Sequence, residues 1–281
     1  MKLCPKCRGK IVPIVYGMPA PETFEKAERK EVSLGGCCIS EFNPKYHCYN
    51  CSRDYYDNLR EFIEKRSFLE ENDYDEDFDL CLTSRIGEQI IDYGILYGEK
   101  NIVIIKSGQD GSYRGFDNKY LKMAKDINDK YGYSVICCSN PFDGNNPLDD
   151  VFKIIKVKFK KKDYKKIYYI GYSNGALIGA WFGNQYKIDK LVLVNGPLMF
   201  NYHKTKDGAN NFTGTRMTFV YGNQDQSIKY TELLKNITNK KVKLEVVENE
   251  DHHFSRNWDD FYSIPDKYLF DETDIKLKGD L

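Results

Sequence analysis

The sequence predicts an α/β protein with a mostly parallel sheet flanked by helices, preceded by a small cysteine-rich domain. Three observations lead to this fold class. Six of the nine cysteines fall within the first 51 residues. Through the rest of the chain, apolar β-branched runs alternate with helical patterns, which is typical of parallel strands joined by crossover helices. A glycine-flanked serine, Gly171-Tyr172-Ser173-Asn174-Gly175, follows one of those runs directly.

Composition narrows the class of protein. A chain of 281 residues is long enough for one α/β domain and a small appendage. Its 42 basic and 42 acidic side chains cancel, which gives no global attraction for nucleic acid. No apolar run approaches the roughly 18 residues that a membrane span needs. The first residues lack the apolar core of a signal peptide, and nine cysteines without a secretion signal predict a reducing, cytoplasmic location.

Two Cys-x-x-Cys pairs stand out in the N-terminal segment. The pairs are formed by Cys4, Cys7, Cys48 and Cys51. Each short turn presents two sulfurs on one side of a metal, so we expect these cysteines to hold one structural zinc ion. Zinc would help a segment of about 55 residues to fold, because so short a segment buries little core. The sequence leaves open whether Cys37 or Cys38 replaces a member of the pairs, and unmetallated core cysteines are the alternative interpretation.

The context of both pairs resembles a zinc ribbon. Cys4-Pro5-Lys6-Cys7 resembles the start of a ribbon, and the Tyr-His-Cys-Tyr-Asn-Cys segment that ends at Cys51 resembles its closing hairpin. The gap between the pairs is longer than in compact ribbons and contains a predicted helix over residues 21–30. The resemblance implies a zinc-ribbon domain over residues 1–56, and a protein partner that binds through this ribbon remains open.

Residues 57–80 are predicted to connect the two domains. A helical pattern covers residues 55–71, and residues 70–77 are almost all acidic. We interpret the acidic run as a solvated linker, which is the usual role of such a segment. The second domain then covers residues 81–281.

Apolar runs place the strands of the second domain. Strands are predicted at residues 101–106, 133–138, 167–170, 191–194, 217–221 and 241–247. Helices are predicted around residues 120–130 and 151–159, and the lysine-rich run at 153–166 is interpreted as a lysine-covered surface rather than an anion site. Because ligands of such sheets bind at the carboxyl ends of the strands, the functional residues are expected there.

Candidate catalytic residues follow three of the predicted strands. Ser173 lies on a sharp strand-to-helix turn, where glycines two residues away on each side prevent a collision between β-carbons and backbone. Asp225 follows the strand at 217–221, and the pair His252-His253 follows the last strand. A serine hydroxyl needs a base to become a good nucleophile, and a histidine oriented by a carboxylate supplies one. The sequence pattern alone does not choose between the two histidines.

The motifs GYSNGA, YGNQDQS and EDHHF, in this order, resemble the α/β-hydrolase family across residues 78–268. This resemblance implies the corresponding sheet and a triad of Ser173, Asp225 and His252. His252 is preferred because the family's Asp-His is followed one residue later by an aromatic, and Phe254 stands there.

The resemblance also implies an oxyanion hole made from the backbone amides of Asn174 and Gln109. Ser107 stands where the family has a histidine, so the sequence departs from the family pattern in this loop. The segment over residues 198–215 is too short for a lid of several helices. An open site is therefore expected. His203 is expected to lie in an irregular loop.

These residues imply a serine hydrolase of carboxylesterase type that cleaves an ester, thioester or amide through an acyl-serine intermediate. The substrate class is a small-molecule or acylated compound. A protein of another class is the alternative: a catalytically inactive scaffold with a hydrolase-like fold, whose zinc ribbon binds a protein or nucleic acid partner. An intact triad favours the enzyme, and the sequence does not identify the substrate.

Overall fold

The structure is a computed structural model that describes residues 2–36, 43–57, 66–72, 75–86, 89–141, 148–161 and 164–271. The chain forms two compact units. One comprises Met1–Arg66 and Phe200–His203, and the other comprises Ser67–Met199 and Lys204–Leu281. Cys37, Cys38 and residues 58–65 of the predicted second helix lie outside the described residues.

The N-terminal unit contains a sheet of four short strands in the order β2-β1-β3-β4. The strands are β1 Ile11–Tyr16, β2 Ser33–Gly36, β3 Tyr46–Cys48 and β4 Arg53–Tyr55. β1 is parallel to β2 and antiparallel to β3, and β3 is antiparallel to β4. Helix α1 (Pro21–Glu28) lies between β1 and β2 in the chain, and its proline suits the first helical turn because φ is already fixed there.

The larger unit is built on a sheet of nine strands in the order β13-β12-β11-β10-β8-β9-β7-β6-β5. The strands are β5 Arg66–Asn72, β6 Leu80–Ile86, β7 Gln89–Leu96, β8 Lys100–Lys106, β9 Ser134–Cys138, β10 Tyr164–Tyr172, β11 Lys190–Val194, β12 Arg216–Gly222 and β13 Val242–Val247. Neighbours among β8 to β13 are parallel. β7 is antiparallel to both β6 and β9. The prediction of a mostly parallel sheet is therefore confirmed.

Helices cover both faces of this sheet. They are α2 Lys119–Tyr131, α3 Leu148–Lys158, α4 Asn174–Phe182, α5 Tyr202–Asn210 and α6 Trp258–Tyr262. Short 3₁₀ segments cover Phe116–Asn118 and Gly183–Gln185, a longer one covers Gln226–Asn236, and a π-helical turn covers Pro265–Leu269.

Alternate residues of β8 show the layering. Ile102 and Ile104 belong to the same core cluster as α3 and α4, whereas Val103 and Ile105 belong to the cluster that contains α2 and α6. Strands β8 to β12 thus bury both of their faces, which explains why they are almost continuous runs of apolar residues, whereas the edge strand β13 is mostly exposed. Within the described ranges, no helix is long and apolar enough to cross a membrane.

Two local predictions are wrong. Strand β5 occupies residues 66–72, where the second helix was expected to continue to residue 71. Pairing at the edge of the sheet decides the conformation of this segment, because strand formation depends more on context than on local propensity. His203 lies in α5 rather than in an irregular loop. The strands β6 and β7 were not predicted from the apolar runs.

Candidate active site

Ser173 sits at the tight turn between β10 and α4. Its backbone has a φ of 52° and a ψ of −117°, a sparsely populated conformation for a residue with a side chain. A β-carbon on Gly171 would lie 2.4 Å from the carbonyl oxygen of Gly175. One on Gly175 would lie 2.4 Å from the carbonyl oxygen of Ser107. Both glycines are required because strand, helix and the neighbouring loop meet here without room for a methyl group.

Ser173, His252 and Asp225 form one hydrogen-bonded line. The Nε2 atom of His252 lies 3.0 Å from the Oγ atom of Ser173. Its Nδ1 atom lies 2.6 Å from the Oδ2 atom of Asp225. Because the carboxylate can only accept, the Nδ1–H donates to Asp225, which leaves Nε2 free to accept the serine proton.

Asp225 is almost completely buried, with 4% of its surface exposed. The backbone N–H and the hydroxyl of Ser227 donate to its Oδ1 atom over 2.6 and 2.7 Å. Burial alone would raise the pKa of Asp225, but the hydrogen bonds from His252 and Ser227 outweigh it and hold the pKa below its ordinary value. The carboxylate therefore stays ionised beside the imidazole at neutral pH.

The loop that carries His252 is held from two sides. The Nδ2 atom of Asn195, a buried residue after β11, donates to the carbonyl oxygens of Asp251 and His252 over 2.9 and 3.0 Å. The Nζ atom of Lys119 donates to the carbonyl oxygen of His253 over 3.1 Å. His253 itself is exposed, and its backbone N–H donates to the Asp251 carboxylate. These contacts orient His252 and leave His253 at the surface.

Lys119 is a buried lysine in an aromatic environment. Only 8% of its surface is exposed, and its Nζ atom lies 4.9 Å from the ring centre of Phe261 and 5.8 Å from that of Tyr172. Burial lowers the pKa of Lys119 to about 8, although the charge of Asp251 acts in the opposite direction. The side chain thus brings a cation behind the histidine loop at neutral pH.

The loop after β8 passes directly over the nucleophile. A β-carbon on Gly108 would lie 3.2 Å from the Cβ atom and 3.8 Å from the Oγ atom of Ser173. Gln109 follows Gly108, and Asn174 follows Ser173, so the two residues predicted for the oxyanion hole belong to the backbone segments that meet at this point. Among the described residues, neither backbone N–H donates to a backbone carbonyl outside the helices and strands. Backbone donors at such a junction can stabilise a developing negative charge.

The acidic run at residues 70–77, which begins within β5, is not a solvated linker at Asp75. The guanidinium group of Arg114 and the hydroxyl of Tyr113 both donate to its carboxylate, and Asp77 pairs with Arg114 and Lys125. Burial opposes ionisation of Asp75, but Arg114 and Tyr113 outweigh it and lower the pKa of this carboxyl. The residues that follow the Gly108 loop are therefore tied to the segment that precedes β6.

The second cluster of functional side chains lies in the N-terminal unit. The sulfur atoms of four cysteines lie within 4.8 Å of one another: Cys4, Cys7, Cys48 and Cys51. Sulfurs on neighbouring corners of a zinc tetrahedron are about 3.8 Å apart, since Zn–S bonds are about 2.3 Å long. The observed separations are 3.6 Å between Cys4 and Cys51 and 3.5 Å between Cys7 and Cys48. Both exceed a disulfide bond of about 2.05 Å and match shared coordination.

The surroundings favour the thiolate at Cys4 and Cys7, where hydrogen bonds lower the pKa, whereas burial raises the pKa of Cys48 and Cys51. The hydroxyl of Tyr55 lies 2.8 Å from the Sγ atom of Cys4. Hydrogen bonds from the Asn50 side chain and the Gly9 backbone lower the pKa of Cys7 to about 6. The donor set fits zinc, because four thiolates in a closed site are typical of structural zinc. The cluster is compatible with a zinc ribbon.

Sequence reasoning did not identify two asparagines near the serine. Asn140 lies two residues after β9 and Asn195 directly follows β11, and both are at most 1% exposed. The one available signal is that each apolar strand ends in a polar residue close to a proline, at Pro141 and Pro197. Such a pattern indicates a turn and says nothing about which groups the asparagine side chains reach.

Comparison with solved structures identifies the fold of the larger unit. An α/β serine hydrolase homologue from Coxiella burnetii matches with a TM-score of 0.53 and 16% identity, covering 66% of this chain and 95% of that one. Est1E from Butyrivibrio proteoclasticus matches with 0.52 and 12% identity, over 65% and 94%. Dienelactone hydrolase from Anabaena variabilis matches with 0.50 and 11% identity, over 71% and 96%. No family model and no curated protein matches the sequence. The chain has the α/β-hydrolase fold.

Proposed function

We propose that this protein is a serine hydrolase that cleaves an ester, thioester or amide through an acyl-serine intermediate. One observation carries the proposal: Asp225, His252 and Ser173 form a hydrogen-bonded line at the carboxyl ends of parallel strands. Two of the similar structures are described as a serine hydrolase homologue and a dienelactone hydrolase. The fold alone would not support an activity, because α/β folds carry many functions.

The geometry supports a two-step acyl transfer. As the Oγ atom of Ser173 forms a bond to the substrate carbonyl carbon, its proton passes to Nε2 of His252. The carbonyl oxygen becomes an alkoxide, which the backbone amides of Gln109 and Asn174 would stabilise. When the tetrahedral intermediate collapses, the imidazolium returns the proton to the leaving group, which departs as an alcohol, thiol or amine. Asp225 stays ionised and stabilises the imidazolium throughout.

Water completes the reaction by the reverse route. His252 takes a proton from a water molecule that attacks the acyl-serine carbonyl, and then returns it to the Oγ atom of Ser173 as the carboxylic acid leaves. The strained backbone of Ser173 assists both steps, because it points the Oγ atom out of the turn and toward the histidine. The non-catalytic scaffold is disfavoured, because a scaffold needs none of these alignments.

Turnover of p-nitrophenyl acetate tests this proposal. We expect the wild type to hydrolyse the ester and Ser173→Ala to lose at least about three orders of magnitude in kcat. Ser173→Ala should keep the wild-type melting temperature, because the change removes one oxygen from a half-buried side chain. A panel of acyl chains and dipeptides would then define the substrate class. Equal turnover by both proteins would contradict the proposal.

We also propose that Cys4, Cys7, Cys48 and Cys51 bind one structural zinc ion. Zinc would hold the two Cys-x-x-Cys turns together and supply no chemistry to the hydrolase reaction. Metal analysis should find about one zinc per chain in the wild type. It should find less than half of that in Cys48→Ser, because three thiolates leave the tetrahedron open. Wild-type zinc content in the variant would contradict this assignment.

The cysteines also guide the proposed location. Thiolate ligands persist in a reducing compartment, so we place the protein in the cytoplasm, where a small-molecule or acylated substrate would reach it. A protein partner that binds through the ribbon remains a prediction from the sequence.

A further inference from the structure

Asn140 is a fully buried residue at the end of β9, with none of its surface exposed. Its side-chain Nδ2 atom lies 3.1 Å from the carbonyl oxygen of Ser107 and 3.0 Å from the Oδ1 atom of Asn174. The orientation of the amide follows from chemistry, because a backbone carbonyl can only accept and must face the NH2 group. One NH2 group therefore joins the loop after β8 to the residue that follows the nucleophile.

The backbone of Asn140 also forms hydrogen bonds to the loop after β8. The N–H of Asp110 donates to the carbonyl oxygen of Asn140 over 2.8 Å, and the N–H of Asn140 donates to the carbonyl oxygen of Gly111 over 3.1 Å. Together with the bond to Ser107, these contacts bracket Gln109 from both sides. The segment that would supply one oxyanion donor is thus fixed to a buried strand end.

We propose that Asn140 is the positioning residue of the oxyanion hole. It holds the backbone amides of Gln109 and Asn174 at a fixed distance from each other. This inference rests on the proposed serine hydrolase function. Asn140 acts at one remove from the reacting atoms, because its side chain donates to the carbonyl oxygen of Ser107 and to the Oδ1 atom of Asn174, the residue after the nucleophile. Its effect is exerted through the two amides alone.

Positioning of this kind has a distinct kinetic signature. Oxyanion donors act on charge that exists only in the transition state, so a displaced donor lowers kcat and leaves the binding of the neutral ester unchanged. Removal of one such donor costs about 100- to 1000-fold in kcat. Displacement of two donors without their removal should cost less, about 10- to 100-fold.

The test compares Asn140→Leu with a matched control, Asn101→Leu. Leucine has the same number of side-chain heavy atoms and the same branching as asparagine, and it removes both side-chain donors. Asn101 is 7% exposed, and its Oδ1 atom accepts from the backbone N–H of Lys166 over 3.0 Å at the opposite end of the sheet. The control therefore loses one partly buried hydrogen bond between an asparagine side chain and the backbone, far from Ser173. Both proteins are assayed with p-nitrophenyl acetate and with phenylboronic acid, whose tetrahedral adduct places an oxygen in the oxyanion hole.

We expect Asn140→Leu to lose about 10- to 100-fold in kcat with KM within two-fold of wild type, and to bind phenylboronic acid about 10- to 100-fold more weakly. The pH midpoint of kcat/KM should not move, because His252 keeps both of its partners. Asn101→Leu should match the wild type in all three measurements, whatever its melting temperature. A merely structural role of Asn140 would lower the melting temperature and leave kcat and inhibitor affinity at wild-type values.

The inference is overturned if Asn140→Leu folds and keeps wild-type kcat and inhibitor affinity, because Asn140 then does not position the donors. If Asn140→Leu fails to fold, Asn174→Ala replaces it, because alanine removes the acceptor of the Asn140 side chain and keeps the Asn174 backbone N–H. Wild-type kcat and inhibitor affinity in Asn174→Ala would then refute the inference, and a loss of about ten-fold in both would support it. A wild type without Ser173-dependent turnover would refute the proposed function itself, and this inference with it.

Discussion

The two clusters of functional side chains lie in units whose hydrophobic cores differ greatly in size. The serine, histidine and aspartate project from strand ends of a nine-stranded sheet with a large apolar core on each face. The four cysteines belong to a unit with a sheet of four short strands, where Cys4, Ile11, Cys48 and Tyr55 form one small cluster of buried residues. Two of those core residues are themselves predicted metal ligands. Packing can therefore fix the geometry of the first cluster, whereas the second needs a metal to fix its own.

Metal removal should separate the two regions most sharply. We expect a chelator to unfold the cysteine-rich unit, because binding of structural zinc supplies its folding free energy, about 10 kcal/mol or more in zinc-finger peptides. Hydrogen exchange should show rapid exchange over β1 to β4 and unchanged protection over β8 to β13. Ester hydrolysis should persist. Retained protection of β1 to β4 in metal-free protein would show that packing alone suffices there.

Substitution of His252 and of His253 tests whether the larger unit positions only one of these two neighbouring histidines for catalysis. His252→Ala should lose at least about three orders of magnitude in kcat, because its imidazole is the group within 3.0 Å of the Ser173 hydroxyl. His253→Ala should stay within a few-fold of wild type, since this side chain is exposed and only its backbone is tied to Asp251. Steady-state kinetics of both variants check this. A larger loss for His253→Ala would mean that the family resemblance selected the wrong base.

The smallest expected effect is a change in the pH dependence of the free energy of unfolding when Lys119 is substituted. Burial lowers the pKa of Lys119 to about 8, against about 10.4 in an unfolded chain. Between these values the unfolded chain binds more protons, so the lysine's contribution to stability is fully present above about pH 10.4 and is lost as the pH falls to about 8. The free energy of unfolding therefore rises between about pH 8 and about pH 10.4 by on the order of 1 to 3 kcal/mol. Lys119→Met should remove this rise.

Urea unfolding at pH 7.5 and pH 10 measures the effect as a difference between wild type and variant. Lys229→Met, a change at an exposed lysine, is the matched control and should follow the wild type at both pH values. Parallel curves for wild type and Lys119→Met would show that Lys119 does not titrate differently in the folded protein.

Several features of the site could be predicted from local sequence. The elbow glycines follow from steric limits that hold in any strand-to-helix turn, and 2.4 Å approaches at both positions match that reasoning. The strands β8 to β12 were found because buried parallel strands are continuous apolar runs, and β13 was found because residues 241–247 alternate between polar and apolar. Asp225 and His252 could be ordered with Ser173 because all follow predicted strands. The choice between the two histidines needed the family resemblance.

Other features depend on contacts between distant parts of the chain. Asp75 looked solvated within its acidic run, but its partner Arg114 lies 39 residues away in sequence. The Nδ2 atom of Asn140, after β9, reaches Asn174, 34 residues away after β10, although β8 lies between these two strands in the sheet. The strand β5 was predicted as a helix because its local pattern is helical, and pairing with a sheet edge decides otherwise. Local propensity carries no information about such partners.

The central claim is that Ser173 is the nucleophile, and covalent trapping tests it most directly. A fluorophosphonate should react with the wild type and leave its phosphonyl group on the peptide that contains Ser173, as located by mass spectrometry after proteolysis. Ser173→Ala should remain unlabelled under the same conditions. An adduct on another residue that persists in Ser173→Ala, or ester turnover by a wild type that never forms an adduct, would contradict the claim.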